Sequence, residues 1–411
     1  MDYVLHSDLN CFYASVEMVE KPELRSVPLA VCGSTEDRHG IVLTKNYLAR
    51  PYGIKTGEAV WQAKQKCPQL VTVPPRYELY LRYSRLVREI YSRWTDRIEP
   101  FGMDECWLHL DACENIGIAA QTADRIRRTI REETGLTASV GVSFSKIYAK
   151  LGSDMKKPDA TTVISRENYR SLVFPLPVTD LLYVGPATGK KLRARGILTI
   201  GDLAGTDPVL VRSWLGKNGL MLRSFAAGED CGVVMPEGYE VPLCSIGHGA
   251  TCIRDLTSNY EVWLVLLELS QDIGKRLRKN ELTARGVELS IRRNDMNGIT
   301  CRRVLRDTTC NSLEIAQLAY QLFLMRYDWS LPVRALTVRA IELRVPEKSA
   351  QQDLFGEAEK REKFRVMEDA VCDIRERFGA GSIRSASLLG PSVTARDQCE
   401  TVPLPGMMYR Q

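Results

Sequence analysis

The sequence predicts a mixed α+β chain of several domains, and three observations predict it. At 411 residues the chain exceeds what one hydrophobic core ordinarily covers. Short strand-like runs alternate with amphipathic helical stretches through its first part. Between residues 244 and 345 the order becomes strand, helix, strand, strand, helix, strand, that of a small sheet with two helices on one face.

Residues 3–7, Tyr-Val-Leu-His-Ser, read as a short strand running into Asp8. Residues 12–19 are helical in pattern, 27–32 strand-like, and 46–50 and 59–66 helical again. Across residues 78–97, Leu81, Leu86, Ile90, Tyr91 and Trp94 fall on or near one helical face. Two short strands flank Gly102-Met103-Asp104-Glu105, as in a hairpin with acids at its bend. Helix is expected at 116–134, strand at 138–143 and helix at 145–153.

The character changes at Pro175–Pro177. The run from Tyr183 through Gly185 and Pro186 to Lys190 and Leu192 sets a glycine turn before a basic helix. A second turn and helix follow at 196–203, which suggests a helix-hairpin-helix unit whose turn N–H groups hold a phosphate, with Gly185 and Lys190 as its contacts. Residues 228–242 read as a linker. Beyond them strands are expected at 244–254, 286–293, 299–305 and 333–345, with helices at 260–279 and 313–327. Arg292, Arg293, Arg302, Arg303 and Arg306 crowd the central hairpin of that group, placed to touch a nucleic-acid backbone. Residues 346–360 are polar; Phe364, Met367, Val371, Ile374 and Phe378 then recur at helical spacing before Gly379, a C-cap signal.

Composition removes several classes. No apolar run approaches the length of a membrane span, and the opening MDYVLHSDLN has neither the basic nor the apolar region of a secretion signal. The 12 cysteines form no CxxC, the nearest two being Cys106 and Cys113, and only 4 histidines accompany them. Disulfide frameworks and zinc sites are therefore not expected, and the cysteines read as small hydrophobes of a reducing cytoplasm. Net charge is +5, and residues 241–345 hold 15 Lys+Arg against 11 Asp+Glu, an excess of +4 that suits a solvated face as readily as a phosphate-binding one.

The chemistry rests on Asp8, Asp104 and Glu105. Phosphoryl transfer needs hard cations that neutralise charge and align the reacting oxygens, and carboxylates are their natural ligands. Distant in sequence, these acids can meet on adjacent strands. Taken alone, Asp8 serves as well to cap the helix after it, and Asp104 and Glu105 to solvate a turn.

Four segments in order add to this. Ser7-Asp8-Leu9-Asn10-Cys11-Phe12-Tyr13-Ala14-Ser15-Val16-Glu17 closely resembles the first signature of Y-family DNA polymerases, the translesion enzymes. Thr44-Lys45-Asn46-Tyr47-Leu48-Ala49-Arg50 resembles their nucleotide-contacting finger segment, and Phe101-Gly102-Met103-Asp104-Glu105-Cys106 their second acidic motif. Ser143-Phe144-Ser145-Lys146, continuing from Ala149-Lys150 to Lys156-Lys157-Pro158, resembles their palm lysine motif. Within the family the bacterial DNA polymerase IV type is the nearest in look. Two positions depart from the pattern: Asn10 stands where a second carboxylate is frequent, and His109 where an aspartate is common.

The resemblance implies a right-hand α+β polymerase, with palm at 1–18 and 78–165, fingers at 19–77, a helical thumb at 166–235 and a DNA-gripping little finger at 241–345, before a tail at 346–411. It implies that Asp8, Asp104 and Glu105, with the Leu9 carbonyl, bind two Mg²⁺. Phe12, Tyr13, Tyr47, Arg50 and Lys157 would meet the incoming deoxynucleoside triphosphate, Tyr13 as a steric gate beneath the sugar. Val31, Ile41, Leu43, Thr56 and Gly57 would roof the nascent base pair. Gln351-Gln352-Asp353-Leu354-Phe355 resembles the peptide that binds the sliding clamp, Leu354 and Phe355 being its apolar anchors. The implied partners are primer-template DNA, deoxynucleotides and the clamp, for a cytoplasmic monomer without membrane contact. Two rivals remain, a palm-type nucleotide cyclase and a non-catalytic translesion scaffold; the first needs no DNA-gripping domain, and the second should have lost a metal acid.

Overall fold

The computed structural model describes residues 2–34, 40–111, 113–229, 232–239, 242–346, 357–379 and 381–389. Two compact units hold most of these residues, one comprising 2–33 and 41–239 and the other 242–346, 357–379 and 381–389.

The first unit is built on β1 (Tyr3–Leu9), whose seven residues are all buried. After α1 (Phe12–Glu20), the segments β2 (Leu29–Cys32), β3 (Val42–Lys45), α2 (Val60–Lys66) and β4 (Val71–Val73) make a small sheet of order β3-β2-β4 with one helix. Next come α3 (Tyr77–Tyr91), β5 (Ile98–Pro100), β6 (Glu105–Leu110), α4 (Ile116–Thr134), β7 (Ala138–Ser143), α5 (Lys146–Met155) and β8 (Thr161–Ile164). They complete a sheet of order β5-β6-β1-β7-β8, which sets β1 at its centre. Leu5, Leu108, Val140, Ile126 and Tyr91 share its core, and each such fully buried side chain contributes roughly 1.5–3 kcal/mol. Helix α5 lies unusually close to this sheet. A Cβ on Gly141 of β7 would stand 1.9 Å from the Ala149 carbonyl, so only glycine lets the helix approach.

The unit continues as α6 (Tyr169–Val173), α7 (Pro186–Arg193), α8 (Ile200–Gly205) and α9 (Pro208–Ala227), packed around Leu192, Ile200, Leu203 and Leu222. Pro186 and Pro208 occupy first-turn positions, where their missing N–H costs nothing. Thr199 and Asp202 close a capping box at the start of α8.

The second unit consists of β9 (Ser245–Leu256), α10 (Asn259–Lys279), β10 (Thr283–Arg293), β11 (Gly298–Thr309), α11 (Ser312–Arg326), β12 (Val333–Arg344) and α12 (Glu357–Phe378). Its antiparallel sheet has the order β11-β10-β12-β9. Leu266, Ile273 and Phe323 of the helices meet Val287, Leu289 and Val338 of the sheet. Helix α12 packs on α10, with Arg278 2.6 Å from Glu368 and 2.8 Å from Asp369.

Three expectations need correction. Residues 46–50 form turns leading into a short 3-10 turn at Arg50–Tyr52, not a helix, because Pro51 and Gly53 break the pattern and the Asn46 side-chain Oδ1 accepts from the Leu29 and Ala49 amides. The helix expected over 78–97 stops at Tyr91. Beyond it Thr95 donates to the His109 carbonyl at 2.6 Å and turns the chain into β5. Residues 232–239, expected as a linker, are tied down: the Met235 amide donates to Glu99 and Val234 is buried. Among the described residues no helix is long and apolar enough to cross a membrane.

Candidate active site

The acids meet as strand register dictates. Asp8 of β1 pairs directly with Glu105 of β6. Asp104, in the bend before β6, is held by its carbonyl, which accepts the Leu9 amide at 2.9 Å. Gly102, at φ +96, allows that bend. Residues about a hundred apart in sequence thus converge at one end of two neighbouring strands.

Crowded carboxylates repel, and the three respond differently. Burial, then the Asp8 and Glu105 charges, push Asp104 up to about 7. Burial and the Glu105 charge push Asp8 up to about 6 against the pull of Lys157 and Lys150. Burial raises Glu105 as well, but the His6 contact and the Lys150 ammonium outweigh it and hold that carboxyl at about 2. Two ammonium groups already lie among the acids. Lys157 Nζ stands 2.6 Å from Asp8 Oδ2 and 2.9 Å from Asp154, while Lys150 Nζ stands 2.9 Å from Glu105 Oε2. An all-oxygen donor set that repels itself and draws cations fits a hard divalent ion such as Mg²⁺.

The residues expected to meet a nucleotide lie around these acids. The Tyr13 ring is half-buried and stacks on Tyr80, centroids 4.4 Å apart at 11°. Its hydroxyl donates to Met103 Sδ at 3.6 Å. Tyr80 is anchored through its hydroxyl on Glu17 (2.7 Å), which Arg76 also binds. The Phe12 ring, by contrast, is buried in the core and leaves only backbone for a ligand. The Arg50 guanidinium lies over the Tyr47 ring at 4.1 Å and donates to Cys11 Sγ at 3.3 Å. The Tyr47 hydroxyl is buried without an aligned hydrogen bond. Of the expected roof, Val31 is wholly buried, whereas Ile41 is 42% exposed.

Both departures from the sequence pattern prove structural. Asn10 is buried, donates to Ser139 Oγ and accepts from the Asp159 amide, which takes up both ends of its side-chain amide. His109 sits toward the far end of the β1–β6 pair, 3.1 Å from Asp111.

Residues 7–154 match the impB/mucB/samB family, and residues 244–354 match that family's C-terminal domain. The chain is 47% identical to a DNA polymerase IV of Acetivibrio thermocellus, over 94% of its own length and 97% of that protein's. It is 35% identical to DNA polymerase IV 1 of Bacillus subtilis, over 94% and 93% respectively. The chain belongs to the Y family of DNA polymerases. Its class is therefore DNA-directed DNA polymerase of the translesion type, and the family's use of DNA, deoxynucleotides and a divalent metal comes with it. A solved Y-family DNA polymerase chimera of Dbh and Dpo4 shares the fold at a TM-score of 0.73, with 22% identity, covering 84% of this chain and 100% of that one.

In this Y-family chain the second unit divides the arginines that the sequence grouped together. Val287, Leu289 and Ile291 of β10 face the helices, so Glu288, Ser290 and Arg292 face the other way. Register puts Arg302 opposite Glu288 on that outer face and Arg303 opposite Val287 on the helix side. Arg303 reaches Gln321 of α11, and Arg293 pairs with Asp295. The outer face instead gains Arg339, 2.8 Å from Glu288. It also carries a shallow cleft of about 430 Å³ among Gly249, Thr251, Ser290, Arg292, Thr300 and Thr337. In the first unit Gly185 caps α7 and Lys190 is exposed on it. The clamp-type peptide, Gln351, Gln352, Asp353, Leu354 and Phe355, lies outside the described residues.

Sequence reasoning missed four groups at the site: His6, Cys11, Lys150 and Asp154. The spacing of Lys150 and Asp154 held a signal, since positions four apart share a helix face.

Proposed function

We propose that this Y-family polymerase adds deoxynucleotides to a primer 3′-OH by two-metal phosphoryl transfer, at low fidelity and past damaged template bases. The observation that carries this is the convergence of Asp8, Asp104 and Glu105 beside the ammonium groups of Lys157 and Lys150. Two Mg²⁺ held by the three carboxylates and the Leu9 carbonyl would neutralise charge on the phosphates and align the 3′-oxygen with the α-phosphorus. Tyr47, Arg50 and Lys157 bind the triphosphate, a role suited to guanidinium and ammonium donors and to a buried hydroxyl without an aligned bond. Tyr13, fixed on Tyr80, bounds the space for the sugar. Pyrophosphate leaves as the 3′-oxygen bonds to phosphorus.

On this reading residues 1–18 and 78–165 are the palm, 19–77 the fingers, 166–235 the thumb and 241–345 the little finger. Gln351, Asp353, Leu354 and Phe355 form a clamp-binding peptide, and the enzyme works as a cytoplasmic monomer. The test is primer extension with Mg²⁺ on intact and abasic templates, with and without a loaded sliding clamp. Extension on both templates is expected, with longer products when the clamp is present. Leu354→Ala with Phe355→Ala should remove the clamp's effect and spare extension of short primers. No extension in Mg²⁺ rejects the polymerase reading; a clamp effect that survives the double substitution rejects the peptide alone.

Strand parity makes the DNA contacts testable. Arg292→Ala with Arg302→Ala should weaken primer-template binding on every sequence and lower the log–log salt slope by about 2, since each phosphate contact carries about 0.9. Arg303→Ala, on the helix side, should change the slope by less than about half a unit. Equal effects from Arg302 and Arg303, measured one at a time by titration across salt, would reject this face as the DNA-binding one.

A further inference from the structure

One enclosed side chain beside the acids has no part in that scheme. His6, on β1, is fully buried, with its ring edge-on to Trp107 at 5.1 Å. Nδ1 lies 2.9 Å from Ser153 Oγ on α5, and that hydroxyl also lies 2.7 Å from the Lys150 carbonyl. Nε2 lies 3.3 Å from Glu105 Oε2 but off the line of a hydrogen bond, and it has no other hydrogen-bond partner. Buried ring nitrogens left so are uncommon, because the hydration lost on burial is not recovered, and such groups ask for a reason.

We propose that His6 is a positioning residue for Glu105, its Nε2–H taking up Glu105 Oε2 when cations enter among the acids and Lys150 gives that oxygen up. The inference rests on the two-metal reading. Lys150 Nζ now holds the same oxygen at 2.9 Å and stands 3.7 Å from Asp8. Divalent ions brought among these carboxylates repel an ammonium, and the imidazole is then the neighbouring donor. A carboxylate only accepts, so the nitrogen facing it carries the proton, and Nδ1 accepts from the Ser153 hydroxyl as that hydroxyl turns from the Lys150 carbonyl. The ring cannot swing, being seated on Trp107 and bracketed by α5. It therefore fixes the direction in which Glu105 presents its oxygens. Outer partners of this sort govern ligand orientation, and losing one weakens metal affinity on the order of 10–100-fold.

The experiment reads Mn²⁺ binding by electron paramagnetic resonance in a complex of the full chain, a dideoxy-terminated primer-template and the matching deoxynucleotide, so no turnover intervenes. His6→Phe keeps a ring against Trp107 and loses the donor; Mn²⁺ affinity should fall about tenfold or more while primer-template affinity holds. His6→Gln restores an N–H near the Nε2 position and should recover most of the loss. A folded His6→Phe variant within about twofold of the parent overturns the proposal, as does a His6→Gln variant no better than His6→Phe. Should His6→Phe fail to fold, Ser153→Ala keeps the ring but unlocks it. An affinity drop of about threefold or more is then expected, and an unchanged affinity overturns the proposal. A parent complex that binds no Mn²⁺ overturns the two-metal reading and this inference together. A parent that binds, with His6→Phe equal to it, overturns this inference alone.

Discussion

Asp104→Asn is expected to abolish primer extension and, at the same time, to make the metal-free protein more stable at pH 8. Both effects follow from one cause. Asp104 lies beside Asp8 and Glu105 in a site that excludes much of the water, and its carboxyl is pushed up to about 7 from an ordinary 3.8. A carboxyl whose pKa is higher folded than unfolded binds its proton more tightly in the folded state. Stability is therefore lost as pH rises from about 4 toward 7, and the whole penalty stands above that. Removing the charge should return on the order of 4 kcal/mol at pH 8, and almost nothing near pH 4. On the two-metal reading the same substitution removes a ligand where charge develops during the reaction. Such clamps supply several kcal/mol, and ~1.4 kcal/mol is tenfold, so extension should fall roughly a thousandfold or more. Melting in chelator at both pH values, then with added Mg²⁺, separates the two effects. Mg²⁺ should raise the parent's melting temperature and leave Asp104→Asn nearly unmoved, because an ion bound only by the folded state stabilises by mass action. Extension within tenfold of the parent, or equal melting gains at pH 4 and pH 8, would place Asp104 outside the metal site.

The parts of this arrangement that local pattern could carry were legible. Alternation and turn residues mark β1, the hairpin around Gly102 and the elements β9 to β12 of the second unit, because each signal is local in sequence. The acids were legible as candidates that could meet on adjacent strands; the register that pairs Asp8 with Glu105 is a long-range fact that no local signal carries. Lys150 and His6 were hidden for the same reason, since Gly141 decides how close α5 comes to the sheet. Helix α9 escaped because its non-helical Gly216, at φ 68, breaks the apolar period midway. The arginines were a different failure. Arg302 and Arg303 are consecutive in a strand, and consecutive strand residues face opposite sides, so their separation was readable from parity alone. Asn10 departs from the motif without touching the metal acids' role, and its amide ties β7 to the Asp159 loop.

Tyr13→Ala should let the enzyme accept ribonucleotides while Asp8, Asp104 and Glu105 remain in place. Metal and triphosphate contacts cannot sense a 2′-hydroxyl, so discrimination at the sugar must come from shape. On the proposed reading Tyr13 is the surface that provides it. The ring lies flat on Tyr80 at 4.4 Å, with Tyr77 edge-on at 6.1 Å, and its hydroxyl is directed to Met103, the residue before Asp104. Tyr80 is itself held through Glu17 and Arg76, so the stack cannot slide to admit an extra oxygen. Truncation to alanine leaves Tyr80 anchored and opens a space the size of the lost ring. Relief of a steric clash worth about 3 kcal/mol would change the ratio of kcat/KM for deoxy- over ribonucleotide by roughly a hundredfold. Overall rate should drop as well, because the ring helps to seat the sugar. Tyr13→Phe keeps the ring and loses only the contact to Met103, so it should retain nearly the parent's discrimination. Single-nucleotide extension with matched deoxy- and ribonucleotides gives the ratios. A folded, active Tyr13→Ala variant whose ratio equals the parent's would reduce Tyr13 to a packing residue, and a Tyr13→Phe variant as permissive as alanine would assign the gate to the hydroxyl and not to the ring.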